Sequence, residues 1–232
     1  MNKLREYAIS LGVSWDIELE NKFERYMLEL LEWNNKFNLT SITERDKIIS
    51  IHFMDSISAI SLIPLNSTVL DIGSGAGFPA IPIKLVRDDL KIVMIDSSLK
   101  KVGFQNHIIE ILGLENISTI HTRAEDYARG EGRAQFDIVV SRAVAKLNTL
   151  LEYTVPFVRV GGSVIAYKSI NTEDEISGAK KAFSELKAEV TEIVRPDFDK
   201  DIERALILIK KIGKTPRNYP REQNLPRKNA II

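Results

Sequence analysis

The chain has 232 residues, 44% of them apolar, and its 32 basic side chains balance 32 acidic ones. That length suits one large domain or a domain with a small appendage, and zero net charge gives no global attraction to a polyanion. Cysteine is absent, which excludes disulfides and thiolate metal sites. With no apolar run of about 18 residues and a charged first turn in place of a signal peptide, a cytoplasmic protein is expected.

Leu19, Phe23, Tyr26, Met27, Leu30 and Trp33 recur at helical spacing and predict an amphipathic helix. Residues 33–40 read as a polar turn. Thr43 with Asp46 three residues on resembles a capping box, opening a helix through about residue 62 that Pro64 and Asn66 end. From residue 67 strands and helices alternate. A strand at 68–72 precedes a helix at about 79–86, with Pro79 in its first turn. A strand at 91–95 precedes a helix over about 98–112, stopped by Gly113. Strands follow at 117–121 and 136–140, then a helix near 147–157, a strand at 163–167 and a helix near 173–186. Strands at 189–195 and 205–210 close the sheet. From Thr215 the chain has three prolines and little periodicity, so it reads as a loop or arm. The divisions expected are a small helical extension packed on the core (1–66), the core (67–212) and a basic arm (213–232).

Alternating units of this kind predict an α/β, Rossmann-like fold: a seven-stranded, mostly parallel sheet with helices on both faces. Ligands then bind at the carboxyl ends of the strands, beside strand one. Asp71, Asp96, Ala124 to Asp126 and Ser141-Arg142 all fall just after or at the ends of strands, so one cleft should gather them.

The richest segment is 69–79, Val-Leu-Asp-Ile-Gly-Ser-Gly-Ala-Gly-Phe-Pro. A dinucleotide loop wants G-x-G-x-x-G, and the third position of that pattern is Phe78 here. The D-x-G-x-G-x-G run resembles instead the loop of S-adenosylmethionine methyltransferases. Gly73, Gly75 and Gly77 permit close backbone approach and positive φ. Asp71 inside an apolar strand either orders the loop or meets a ligand's ammonium. Asp96 lies about 20 residues beyond the loop, the spacing of a ribose-binding acid; the bland alternative is that Asp96 or Ser97 caps the next helix. Ala124 and Glu125 or Asp126 suit an adenine, although Glu125 reads equally well as a solvated side chain. Arg142 suits a phosphate or guanine O6, against the ordinary fate of a surface ion pair. His52, His107 and His121 are scattered, so no metal is expected. His52 and Asp55 share a helix face and suit a structural hydrogen bond.

Charge is unevenly spread. Residues 171–203 carry ten acidic and five basic side chains, whereas 210–232 carry seven basic ones and one acidic. A basic tail is commonly just solvated; a polyanion contact becomes the better reading only if the core acts on RNA.

Longer motifs add to this. Trp33-Asn34 with Asn38-Leu39-Thr40 matches W-N-x-x-x-N-L-T, and His52 with Asp55-Ser56 matches H-x-x-D-S. Asp96-Ser97, Lys100-Lys101 and Phe104 match D-S-x-x-K-K/R-x-x-F. Arg123-Ala124-Glu125 and Ser141-Arg142-Ala143 match R-A-E and S-R-A. Tyr219-Pro220-Arg221 with Pro226 and Lys228 matches Y-P-R-x-x-x-x-P-x-K. In this order the set resembles, nearly end to end, the ribosomal RNA small subunit methyltransferase G family, also called glucose-inhibited division protein B. Glu222-Gln223-Asn224 departs from it, where relatives often carry a basic residue and a glycine.

The resemblance implies a class I, S-adenosyl-L-methionine-dependent enzyme. It would methylate N7 of one guanosine of 16S rRNA, position 527 in standard rRNA numbering, in the small subunit or its assembly intermediate. By that likeness Gly73, Phe78, Ala124, Glu125 and Arg142 hold the cofactor with Asp96 nearby, and no general acid or base is needed, leaving Arg142 a positioning role. Lys100, Lys101, Lys146, Lys168, Arg217, Arg221, Arg227 and Lys228 are candidate RNA contacts. A monomer without metal or membrane partner is expected. The missing cysteine argues against pyrimidine C5 as acceptor, and the missing Asn-Pro-Pro-Tyr tetrapeptide against adenine N6. Readings left in competition are a small-molecule methyltransferase, a nucleotide-dependent dehydrogenase and a non-catalytic rRNA-binding factor.

Overall fold

In the computed structural model the described residues are 1–142 and 145–232. Seven strands form one sheet: β1 (Thr68–Ile72), β2 (Lys91–Asp96), β3 (Ile117–His121), β4 (Phe136–Arg142), β5 (Val158–Ser169), β6 (Ala188–Val194) and β7 (Arg204–Lys211). Their order is β3-β2-β1-β4-β5-β7-β6, parallel from β3 through β5, with β7 antiparallel to both its neighbours. The order reverses at β1, so the crevice between β1 and β4 is the switch point where such sheets bind ligands.

Apolar side chains alternate across each strand and feed two cores. Val69, Met94, Ile138 and Val140 face one cluster, shared with α5 (Ala80–Val86) and α6 (Leu99–Ile111). Leu70, Ile72, Ile95 and Val139 face the other, shared with α8 (Leu147–Thr154), α10 (Lys180–Leu186) and Ala128 of α7 (Ala124–Arg129). The fold is therefore the mixed, mostly parallel α/β sandwich that the strand pattern predicts.

The helices at the start of the chain join the first cluster. Leu4 and Ala8 of α1 (Asn2–Ser10), and Phe23, Tyr26, Met27 and Leu30 of α2 (Ile17–Phe37), are buried against it. Two expectations fail here. Residues 33–37 are not a turn: α2 continues through them and stops at Asn38, whose left-handed φ of 49° ends the helix. Thr43 makes no capping box either, since α3 (Arg45–Lys47) starts from Glu44 without a side-chain cap. The helix then widens into a π-helix (Ile48–Met54) and returns to α geometry in α4 (Asp55–Ile57). Further on, the single helix expected near 173–186 is split at Gly178 into α9 (Glu173–Ser177) and α10, and the tail carries a short α11 (Leu225–Lys228). No helix among the described residues is long and apolar enough to cross a membrane.

Candidate functional site

A cavity of about 270 Å³ opens at the carboxyl ends of β1, β2 and β3. Gly73, Asp96, Ser97, Ala124 and Glu125 line it, as the strand-end pattern predicts, and Arg142 reaches its edge. Lys101 and Tyr153 also line it, together with Asn224 and Arg227 from a part of the chain far from the strand ends.

Asp96 organises this mouth. Its Oδ1 accepts from the Ser98 amide at 2.9 Å and its Oδ2 from the Gly75 amide at 3.0 Å. One carboxylate thus ties the turn before α6 to the glycine loop, whereas α6 itself starts from Ser98 with no side-chain cap, so neither Asp96 nor Ser97 caps it. Each oxygen retains further acceptor capacity beyond these bonds, and Asp96 lines the cavity. Gly73 has φ 72° and donates to Ile95 O at 2.9 Å, folding the loop back onto β2.

Four of the residues expected at the cofactor lie outside the cavity lining: Asp71, Gly75, Gly77 and Phe78. Gly77 serves packing. A Cβ there would collide with Ile81 Cδ1 and sit 2.8 Å from the Tyr26 hydroxyl. Phe78 is buried and stacks on His52, with ring centroids 4.4 Å apart and 13° between planes, and on Tyr26. Asp71 shares Val69's face of the sheet and is fully buried. Its Oδ2 accepts from the Ala80 amide at 3.3 Å, ordering the end of the loop, while Oδ1 has no hydrogen-bond partner among the described residues. Burial pushes this carboxyl up to about 8, more than the nearby Ser74 hydroxyl, the Ala80 amide and the charge of Arg142 draw it down.

Arg142 is no surface ion pair. Its Nη1 donates to Ile51 O at 2.8 Å and to Asp55 Oδ2 at 3.1 Å, and its Nη2 to His52 Nδ1 at 3.1 Å. The guanidinium carbon lies 5.2 Å above the Phe78 ring. His52 and Asp55, expected to bond each other, instead meet on this shared partner. Because a guanidinium only donates, Nδ1 of His52 carries the lone pair and Nε2–H donates to Thr40 Oγ1, 3.0 Å away. Burial, then the charge of Arg142, push His52 down to about 3, so the imidazole is neutral. Arg204 of β7, which no sequence motif singles out, donates from Nε to the other Asp55 oxygen at 2.7 Å. A charged residue opening a late strand was the one hint of it. Ala143, read with Ser141 and Arg142 as a motif, lies outside the described residues.

The expected RNA contacts divide. Lys100, Lys146, Arg217, Arg227 and Lys228 are exposed. Lys100 stands over the Phe37 ring at 5.8 Å, and Lys101 and Arg227 line the cavity. Two others are committed internally. Lys168 is buried, donating to Ala145 O at 2.7 Å and Glu175 Oε2 at 2.6 Å. Arg221 grips the fully buried Glu152 through Nε and Nη2, at 2.9 and 2.7 Å. Neither cation is free to meet a phosphate in this arrangement. No group of three or more metal-ligating side chains occurs among the described residues.

Comparison with known proteins bears on the family and the fold. The family model described as rRNA small subunit methyltransferase G matches residues 19–204. A ribosomal RNA small subunit methyltransferase G of Thermoanaerobacter sp. (strain X514) is 42% identical, covering 99% of both chains. One of Acetivibrio thermocellus is 45% identical, over 98% of this chain and 95% of its own. Among solved structures, M. jannaschii TYW2 in complex with AdoMet superposes with a TM-score of 0.56 at 17% identity, over 74% of this chain and 80% of that one.

Proposed function

The chain belongs to the rRNA small subunit methyltransferase G family, and from that premise we propose that it moves a methyl group from S-adenosyl-L-methionine to N7 of a single 16S rRNA guanosine. The family makes it an rRNA methyltransferase. The donor, the acceptor atom and the residues in each role are our own reading. The carrying observation is the cavity at the strand ends, where Gly73, Asp96, Ala124 and Glu125 converge.

The cavity suits such a cofactor chemically. It combines two carboxylates, Asp96 and Glu125, with a glycine backbone at positive φ, and the cofactor is a nucleoside bearing a cationic sulfonium and an amino acid. Asp96 would take the ribose hydroxyls, Ala124 and Glu125 the adenine, and Gly73 the amino-acid end. When bound, the cofactor supplies an electrophilic methyl group.

The protein's part is placement. Guanine N7 has an in-plane lone pair and no proton to lose, so no base is required, and alignment supplies most of the rate. Arg142 cannot swing freely onto O6 and N7, because Ile51 O, Asp55 and His52 hold it. It acts as a fixed positive charge above Phe78 at the cleft edge, suited to a substrate phosphate or O6. The exposed Lys100, Lys146, Arg217 and Lys228 and the cavity-edge Lys101 supply the sequence-independent grip on RNA. The substrate is 16S rRNA in the small subunit or an assembly intermediate, met by a monomer.

The test is a map of N7-methylguanosine in 16S rRNA from cells with and without this protein. One site should vanish on deletion and return on complementation; an unchanged pattern would overturn the proposal.

A further inference from the structure

Residues 213–232 leave β7 and return to the cavity. Arg133 holds the outward path, donating to Thr215 O at 2.9 Å and Tyr219 O at 2.7 Å. Arg221 then locks onto Glu152 with its backbone amide as well as its guanidinium, a charge-assisted clamp on a buried carboxylate. Thr149 Oγ1 donates to Pro226 O at 3.2 Å on the far side. Between these holds, the Asn224 amide donates to Glu125 Oε1 at 3.1 Å, and Asn224 and Arg227 line the cavity beside Ala124.

Of the departure noted at 222–224, Asn224 suits its place in the backbone. Asn224 sits at φ 66°, a left-handed conformation that asparagine tolerates nearly as glycine does. Its N–H, which precedes α11, meets Glu125 Oε1.

We propose that the arm is a wall of the cofactor site: Asn224 and Arg227 complete the adenosine end, and the Arg221–Glu152 clamp sets how tightly a nucleoside is held there. This rests on the cofactor reading above. The arm, expected as a solvated tail or an RNA contact, then has a further role, and Arg221 becomes a positioning residue for the cavity. Binding and arm docking must then be reciprocal, each strengthening the other by the same factor.

Full-length protein is treated with trypsin, with and without saturating S-adenosylhomocysteine, and cleavage after Arg227 and Lys228 is timed by mass spectrometry. Cleavage after the exposed Lys200 serves as the internal control. The ligand should slow arm cleavage by roughly fivefold or more and leave the control unchanged. Arg221→Met should weaken S-adenosylhomocysteine by about tenfold in calorimetry. Ligand binding to the native protein without arm protection overturns this inference alone. No binding to the native protein overturns the cofactor reading on which it stands. The proteolysis needs no variant, so it decides the matter even where Arg221→Met misfolds.

Discussion

The guanidinium of Arg142 lies 3.1 Å from the fully buried carboxylate of Asp55, 87 positions earlier in the chain. The second oxygen of Asp55 holds Arg204 at 2.7 Å. One acid thus separates two cations and ties the helices at the start of the chain to β4 and β7. Losing it leaves two part-buried guanidinium groups facing each other. Asp55→Ala is expected to cost on the order of 3–5 kcal/mol in urea unfolding. Arg142→Met added to it should cost much less than it does alone; an additive double-mutant cycle would refute the coupling.

His52 gives a pH signature. Its folded value, about 3, lies below the ordinary 6.5. Its contribution is therefore whole above about 6.5 and is lost as the pH falls from there toward 3, by up to roughly 1.4 kcal/mol per pH unit. The stability advantage over His52→Gln, which can still accept from Arg142, should shrink between pH 7 and pH 5. A constant difference would contradict a neutral imidazole in the folded protein.

Asp71 acts with the opposite sign. Its folded value of about 8 lies above the ordinary 3.8. The native state holds the extra proton, so this stabilisation is complete below about 4 and disappears as the pH climbs to 8. Relative to Asp71→Asn, the native chain should lose up to roughly 1.4 kcal/mol per pH unit between pH 5 and pH 7.5. Denaturation midpoints running parallel over that range would count against a protonated Asp71.

The glycine loop separates two kinds of glycine. Gly75→Ala meets nothing nearer than 3.9 Å and bears only its φ of +60°, a cost of about 1–2 kcal/mol. Gly77→Ala adds a collision with Ile81 and Tyr26 to a φ of +91°, for about 2–4 kcal/mol. Equal losses for the two variants would show that packing under the loop matters little.

Asp96→Ala removes the acceptor of the Gly75 and Ser98 amides. If Asp96 also holds the ribose, S-adenosylhomocysteine affinity should fall by roughly tenfold or more. Calorimetry decides: a stability loss with affinity intact would leave Asp96 purely structural.

Much of this was legible in the sequence wherever the signal was local. The strands are short apolar runs between turn residues, and the strand-end residues Gly73, Asp96 and Glu125 follow from them. The start of the chain read as helical, but α1 was not singled out as a separate helix, because Leu4 and Ala8 are its only buried positions and make too short a stripe. The purposes of Gly77 and Phe78 depend on Tyr26 and His52, which loop spacing cannot show. His52 and Asp55 stood out as a pair, but their common partner lies 90 and 87 residues away. Arg221 looked like one more tail cation, since nothing near it announces that Glu152 is buried.

Two fully buried carboxylates take their counter-ions from late in the chain: Asp55 from Arg204, 149 residues on, and Glu152 from Arg221, 69 residues on. A buried charge left without its partner is strongly destabilising. The packing of the early helices and of α8 therefore depends on segments laid down long after them in sequence, so neither region is electrostatically self-sufficient.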